Sequence, residues 1–496
     1  MAEATVPQGA PEPRQQPGEV GLLTTLGRVK PMAAIMAQAE DQERRLERSI
    51  GTISLTAFGV AAIVGAGIFV LTGVAAATKA GPGITISYVI AGIVSGLAAL
   101  CYAELASTVP IAGSAYTYAY AVLGEFLAWV IGWDLVLEYG VGASAVSVGW
   151  SSYFSDFFNS TFGITLPVAL TASPFSGGVL NLPAAAIILL ITALLIIGTS
   201  ESSKVNNIIV AVKLAVVVFF IVVGATHVHP GNWHPFLPFG VTGVMGGASL
   251  IFFAYIGFDQ ISTAAEEVRD PQRTMPRGII FSLAICTVLY LLVAGILTGM
   301  VPYTKLNNAS PVAHAMIQVG LNWAGTVISI GAIAGLTTVL LVLVFGQARV
   351  FFSMSRDRLL PGVFSQVHRR FRTPWVATLI VGIAVATLAA LTPIDALAEM
   401  TNIGTLAAFI LVSIAVIRLR RTQPDLQRGF RVPWVPVLPA LAAITAFGLI
   451  LSLTPITWLR FFVWLVIGLV IYFLYSRHHS RLNDENDVAP ARGTGA

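Results

Sequence analysis

Thr56-Ala-Phe-Gly-Val-Ala-Ala-Ile-Val-Gly-Ala-Gly-Ile-Phe-Val70 is the stretch on which the reading of this chain turns. It holds no charged residue and is apolar enough for a lipid interior, yet Gly65-Ala66-Gly67 stands at its midpoint. Glycine loses the most freedom on entering a helix and accepts dihedrals that other residues avoid, so this centre is expected to unwind. An unwound turn in hydrocarbon strands amides and carbonyls at several kcal/mol each, and survives only where protein or a polar ligand satisfies them. The alternative use of such glycines is close helix packing, which a single Gly-x-Gly does not exclude.

The surroundings show that the stretch lies in a membrane chain. Of 496 residues, 56% are hydrophobic and 10% charged, against about 25% charged in a soluble domain. About twelve apolar segments follow one another, near 53–77, 84–108, 125–149, 183–200, 206–225, 244–267, 279–300, 323–352, 375–392, 400–417, 435–453 and 459–476. Each approaches the roughly 20 residues that a helix needs to cross about 30 Å of hydrocarbon. The expected fold is an all-α polytopic membrane domain over 49–476. A polar N-terminal tail (1–48) and C-terminal tail (477–496), both expected to be poorly ordered, flank it, and no cleavable signal peptide is expected.

Orientation follows from the cations, because loops on the cytoplasmic side keep the excess of Lys and Arg. With the N-terminus inside, 24 of the 28 Lys and Arg residues fall on the cytoplasmic side, leaving Lys79, Lys305 and Arg460 outside and Lys213 within a span. Twelve spans with both termini cytoplasmic, in the cell membrane, fit this count. The net charge of +4 therefore reflects topology and contact with anionic lipid, and nucleic acid is not an expected partner. Cys101 and Cys286 both lie in apolar spans and read as small packing residues. His227, His229 and His234 have no cysteine or carboxylate beside them, so no metal site is expected.

A second break is legible in Phe252-Phe-Ala-Tyr-Ile-Gly-Phe-Asp-Gln260, in the sixth span, where a glycine is again followed by a carboxylate. Breaks in spans one and six have the phase expected of two inverted five-helix repeats around a midplane site. At such breaks the exposed amides of one half-helix suit a carboxylate and the free carbonyls of the other suit an ammonium. A zwitterionic α-amino acid carries both.

Further motifs make the pattern specific: Val64-Gly-Ala-Gly-Ile-Phe-Val-Leu-Thr-Gly73, Tyr102-Ala-Glu-Leu-Ala106, Pro110-Ile-Ala-Gly-Ser-Ala-Tyr-Thr-Tyr118, Glu266-Glu-Val-Arg-Asp-Pro-Gln-Arg273 and the run from Gly346 to Pro361. The chain resembles the amino acid-polyamine-organocation superfamily, and within it looks most like the cationic amino acid transporter family and its bacterial-type permeases, over roughly residues 45–475. The resemblance implies a five-plus-five inverted repeat with broken helices 1 and 6 and two additional C-terminal helices. It also implies a substrate carboxylate at Ile63, Gly65, Ala66 and Gly67, and an amino group at carbonyls of Phe253, Ala254 and Ile256. Phe253 would be the aromatic gate. Leu343 matches a position that lines the side-chain pocket, where relatives often carry a small polar residue or Met, and a leucine there speaks against strict selection of cationic side chains.

The charges inside the spans complete the set. Lys213 sits where an ammonium is costly, so it must be paired, water-linked or neutral for part of its cycle. Proton exchange is one reading and snorkelling to the cytoplasmic surface the other. In proton-dependent relatives an amine occupies this place on the fifth span, and a fixed cation would repel sodium, so a proton is the expected coupling ion and no cofactor is implied. Glu138, with Asp134 one turn earlier, suggests a polar pocket, serving as a proton route, as a site for a basic substrate side chain or for helix-to-helix hydrogen bonding. Asp259 is expected to cap the second half of span six. Glu104, Glu266, Glu267 and Arg269 lie near cytoplasmic ends, as gating pairs or as solvated charges.

No nucleophile with a base occurs at recognisable spacing, so an enzyme is not expected. The functional expectation is a secondary transporter that imports L-amino acids by alternating access, as a proton symporter. A uniporter or exchanger of arginine, lysine or ornithine, and a non-transporting amino acid sensor, are the alternatives. Amino acid and membrane lipid are the expected partners, with a small accessory membrane subunit left open.

Overall fold

The computed structural model describes residues 28–29, 50–108, 114–198, 203–308 and 310–483. The expectations for the N-terminal tail and for the end of the C-terminal tail, like the side chains of Glu266 and Glu267, lie outside the described residues. Among those described, the chain is helical throughout, with one isolated bridge between Ile50 and Val268 and no strand.

The first helix breaks where the glycines fall. α1 (Thr52–Ile63) stops because Val64 turns extended, at φ −72° and ψ 101°. The chain restarts at 67–80 as α2, partly wound as a π-helix. α3 (Ile84–Thr108), a short α4 (Ser114–Val122) and α5 (Glu125–Phe162) follow. Then come α6 (Leu182–Ile197), α7 (Ser203–Ala225) and α8 (Gly240–Ile251). α8 tightens into a 3-10 turn at Phe252–Tyr255 and ends at Ile256, which is extended at ψ 140°. Gly257 turns the chain at φ +114° and a 3-10 helix, Asp259–Glu267, carries it on. The remainder is α9 (Pro271–Met300), α10 (Pro311–Gln318), α11 (Asn322–Arg356), α12 (Trp375–Leu391), α13 (Ile394–Thr422), α14 (Val437–Leu451) and α15 (Pro455–His479).

Seven of these helical stretches are long and apolar enough to cross a bilayer, and five shorter apolar helices stand beside them. The apolar segments expected from the sequence all fall on helical stretches, with 53–77 divided between α1 and α2 and 244–267 between α8 and the 3-10 helix after it. α5 runs to Phe162, well past the expected end near 149, and α9 begins at Pro271, a proline tolerated in the first turn where its missing N–H would have no partner. The faces turned outward are apolar, as with Leu459, Phe462, Val463 and Val466 on α15 and Ile285, Val288 and Leu292 on α9. In water these would be a liability. In lipid they are the ordinary surface.

Packing follows a doubled pattern. α3 lies on α9, α5 on α11, and α6 on α12. α7 packs on α11 and α9, while α13 packs on α5 and α3. α14 and α15 attach to the outside of this body, α15 through Trp129 and Trp133, whose indole N–H groups donate to the carbonyls of Gly468 and Trp464 at 3.1 and 2.9 Å.

The two breaks fit into each other. A Cβ on Gly67 would lie 2.2 Å from Ala254 Cα, and one on Gly257 would lie 2.8 Å from the Ala62 carbonyl oxygen, in a backbone conformation that L side chains rarely adopt. Each glycine is thus required by the backbone of the other break. Gly67→Ala should force α2 from the second break and cost about 1–3 kcal/mol, the usual penalty of overpacking. A clearly lower Tm of the purified variant in detergent is expected, and an unchanged Tm would contradict this account of the glycine.

Candidate functional site

Between the two breaks lies a small cavity of about 20 Å³, room for about one water. Ile63, Gly65, Ala66 and Gly67 from the first break line it with Phe253 and Ile256 from the second. Glu138, Gly142 and Val146 from α5, Val339 and Leu343 from α11, Gln260 from the 3-10 helix and Thr401 from α13 close it. An amino acid fits only if Phe253, Ile256 or Leu343 moves aside.

The chemistry of the wall is set by the backbone. The amides of Gly65, Ala66 and Gly67 donate no backbone hydrogen bond, because the residues before them have left the helix. They form the positive end of α2, an ordinary place for an anion. Opposite, the Phe253 carbonyl accepts a hydrogen bond from the Ile256 amide at 3.3 Å and keeps a lone pair for another donor. The side-chain wall of Ile63, Val146, Val339 and Leu343 is apolar.

The structure separates Ala254 from this set. Its Cα backs onto Gly67 and its carbonyl accepts the Tyr290 hydroxyl at 2.8 Å, so it does not face the cavity. The same hydroxyl lies 3.0 Å from the Ile63 carbonyl. Tyr290 therefore bridges the last carbonyl of α1 and a carbonyl of the second break, the two groups that unwinding would otherwise strand. Tyr88 and Tyr255 pack against it, with ring centroids 5.4 Å from its own. None of this was legible in sequence, since a tyrosine in α9 carries no signal of which carbonyl it will meet.

Lys213 is fully buried and its Nζ donates to the Ala61 carbonyl at 2.5 Å. The side chain points inward to the end of α1, which sets aside snorkelling. A Cβ on Gly335 would touch the lysine stem at 2.7 Å, so α11 leaves a glycine-sized groove for it. Among the described residues no carboxylate pairs with Lys213. It lies outside the cavity, on the carbonyl two residues before Ile63, and so shares the end of α1 with the site.

Glu138 is buried in the π-wound segment Val136–Val141 of α5 and borders the cavity, with neither carboxylate oxygen hydrogen-bonded at standard geometry. Such widened turns recur at functional sites, where they turn a side chain that a regular helix would point elsewhere. Asp259 lies beside Glu138. It is the first residue of its 3-10 helix rather than the cap, with no side-chain cap hydrogen bond, and Oδ2 accepts the Tyr139 hydroxyl at 3.1 Å. Asp134 is buried away from the cavity. Gln260, Thr401, Val146 and Val339 escaped sequence reasoning; Gln260, next to Asp259 in the second break, was the one with a signal.

At the arginine-rich end, Glu104 is not a solvated charge. It is fully buried, receives both Arg420 Nε and Nη2 at 2.6 and 2.8 Å, lies 3.3 Å from Arg428 Nε and accepts the Val432 amide at 2.7 Å. One carboxylate thus holds α3, α13 and the 423–436 turn together.

A membrane-embedded helical chain whose broken helices turn their backbone polar groups onto one internal cavity has the architecture of a small-solute transporter. The family model described as "Amino acid permease" matches residues 50–483, and the chain belongs to that family, within the amino acid-polyamine-organocation superfamily. It is 53% identical to the branched-chain amino acid permease BcaP of Bacillus subtilis over 452 residues, covering 90% of this chain and 96% of that one. It is 50% identical to the methylthioribose transporter of the same organism over 463 residues, covering 93% and 100%. With cationic amino acid transporter 4, vacuolar, of Arabidopsis thaliana it shares 35% over 409 residues, 81% of this chain and 68% of that one. These relatives are permeases and transporters, not enzymes.

Glu104→Ala should leave Arg428, whose side chain is 1% exposed, without a counter-charge. Removing one partner of a buried ion pair costs about 3–5 kcal/mol. The variant should melt well below wild type in detergent; equal Tm values would show the network to be structurally idle.

Proposed function

We propose that the chain imports L-amino acids with apolar side chains across the cell membrane by alternating access, coupled to protons. The cavity between the breaks carries the proposal: bare amides face free carbonyl capacity across a gap walled by Ile63, Val146, Val339 and Leu343. The substrate carboxylate takes the amides of Gly65, Ala66 and Gly67. Its ammonium takes the carbonyls of Phe253 and Ile256, Phe253 closes over it, and its side chain meets Val339 and Leu343.

Twelve crossings with both termini cytoplasmic, in a membrane domain over 49–476, form the frame. The doubled packing supports two inverted repeats of five helices followed by α14 and α15. Each of α3, α5 and α6 lies on the helix five spans later, and α7 and α13 make matching contacts in the two halves.

Lys213 supplies the coupling. Its ammonium, bound to the Ala61 carbonyl, fixes the end of α1 beside the substrate amides. Loss of the proton weakens that charge-assisted bond and frees α1 to move, so protonation and the position of the first break change together. The name of the 53% identical relative supports a branched-chain substrate. Glu138 is the one acidic group in the wall, and it keeps a cationic substrate as the second reading.

Uptake of labelled L-leucine, L-alanine and L-arginine into proteoliposomes, with and without an inward proton gradient, tests this directly. Gradient-driven accumulation of leucine or alanine that Lys213→Ala abolishes is the expected result. Arginine uptake indifferent to the gradient and to the substitution would replace the symporter with a cationic facilitator, and binding without transport would replace it with a sensor.

A further inference from the structure

A second, much roomier cavity lies away from the breaks. It measures about 970 Å³, near the upper end of small-molecule sites, about 300–1,000 Å³. Its walls come from 171–176, 307–308, 392–396 and 454–460, on the face opposite the arginine-rich loops 349–372 and 418–431. Four charged side chains line it: Lys79, Asp395, Glu399 and Arg460. None of the four forms an ion pair among the described residues.

Glu399, near the start of α13, carries the argument. It is 9% exposed, yet no Lys or Arg among the described residues lies within ion-pair distance of it. One oxygen, Oε2, accepts the hydroxyls of Thr454 and Thr457, each at 2.5 Å, from the turn that opens α15. Those two bonds fix the carboxylate against the cavity wall, and Oε1 receives no hydrogen bond from the described residues. A carboxylate held so far out of water is matched by a donor with positive charge. Lys79, at the end of α2, and Arg460, on α15, bring cations to the same cavity. Carboxylates and cations that line one cavity without pairing with each other complement a molecule that carries both charges better than a simple anion or a simple cation.

We infer that this vestibule is a capture site for zwitterionic amino acids, distinct from the cavity at the breaks, in which Glu399 takes the ammonium and Lys79 or Arg460 the carboxylate. The inference rests on the reading of the chain as an amino acid importer with this face outward. The vestibule raises the amount of substrate held near the end of α2, the half-helix whose opposite end forms the inner site.

The test uses the full chain and labelled L-leucine, with KM and maximal rate measured separately for uptake and for efflux. Glu399→Gln keeps an oxygen for the two threonines and removes the charge. Losing one charge-assisted contact should raise the uptake KM roughly tenfold, with the maximal rate of uptake and the efflux KM unchanged. Lys79→Gln combined with Arg460→Gln should do the same. If Glu399 serves only to fasten α13 to α15, its substitution lowers folded yield and both maximal rates together while each KM stays in place, and the capture site is refuted. Equal shifts of uptake and efflux KM would refute it as well, by placing the effect at the shared inner site. A wild-type chain that moves no labelled amino acid would overturn the transport reading, and the capture site with it.

Discussion

The constraint on which this structure depends is that peptide groups cannot be left bare in hydrocarbon. Two helices give up their hydrogen bonds at mid-course, one at Val64 to Gly67 and the other at Ile256 to Gly257, and the rest of the molecule is arranged to accommodate that. Part of the exposed polarity is absorbed by the protein. Tyr290 meets the carbonyls of Ile63 and Ala254, Lys213 meets that of Ala61, and Tyr153 donates to the Phe69 carbonyl at 2.6 Å. The amides of Gly65, Ala66 and Gly67 are left for a ligand. Those amides and the open carbonyl capacity of Phe253 are the groups that the proposed amino acid site uses.

The interlocking of the breaks explains why they occur as a pair. Gly67 packs on Ala254 and Gly257 on the Ala62 carbonyl, so neither half-helix can be positioned without the other. The contacts between the breaks leave no room for a side chain at either glycine. Lys213 reaches the first break by way of α1, which gives a buried amine outside the cavity a mechanical link to it. Glu104 with Arg420 and Arg428 ties α3 and α13 at the far end, so that what moves is framed by what is fixed.

Much of this was legible in the sequence. Helix positions follow from hydropathy because the surrounding solvent is lipid, and the breaks follow from Gly65, Gly67 and Gly257, where backbone need overrides helix propensity. Ile63, Phe253, Ile256 and Leu343, which the family resemblance grouped, line one cavity, and Glu138, read from its place in the third span, borders it. The departures are local. Ala254 faces Gly67 instead of the cavity, and Asp259 bonds to Tyr139 instead of capping its helix. Lys213 turns inward, a choice that spacing left open because seven residues from Asn206, where the span was expected to start, permits either direction. Val146, Val339 and Thr401 could not be found, since an apolar or hydroxyl residue on a distant helix announces itself only when crossing angles are known. Glu104 was legible as a charge near a helix end but not as a buried one, because its partners lie more than 300 residues away.

The central claim is that the gap between the two breaks is where an amino acid binds. A cryo-electron microscopy map of the full chain with L-leucine tests it most directly. The account predicts density for the ligand between α2 and the second break, with its carboxylate within hydrogen-bond distance of the Gly65, Ala66 and Gly67 amides and Phe253 displaced over it. Ligand density elsewhere, with the amides of 65–67 bonded to the protein or to lipid, would contradict it.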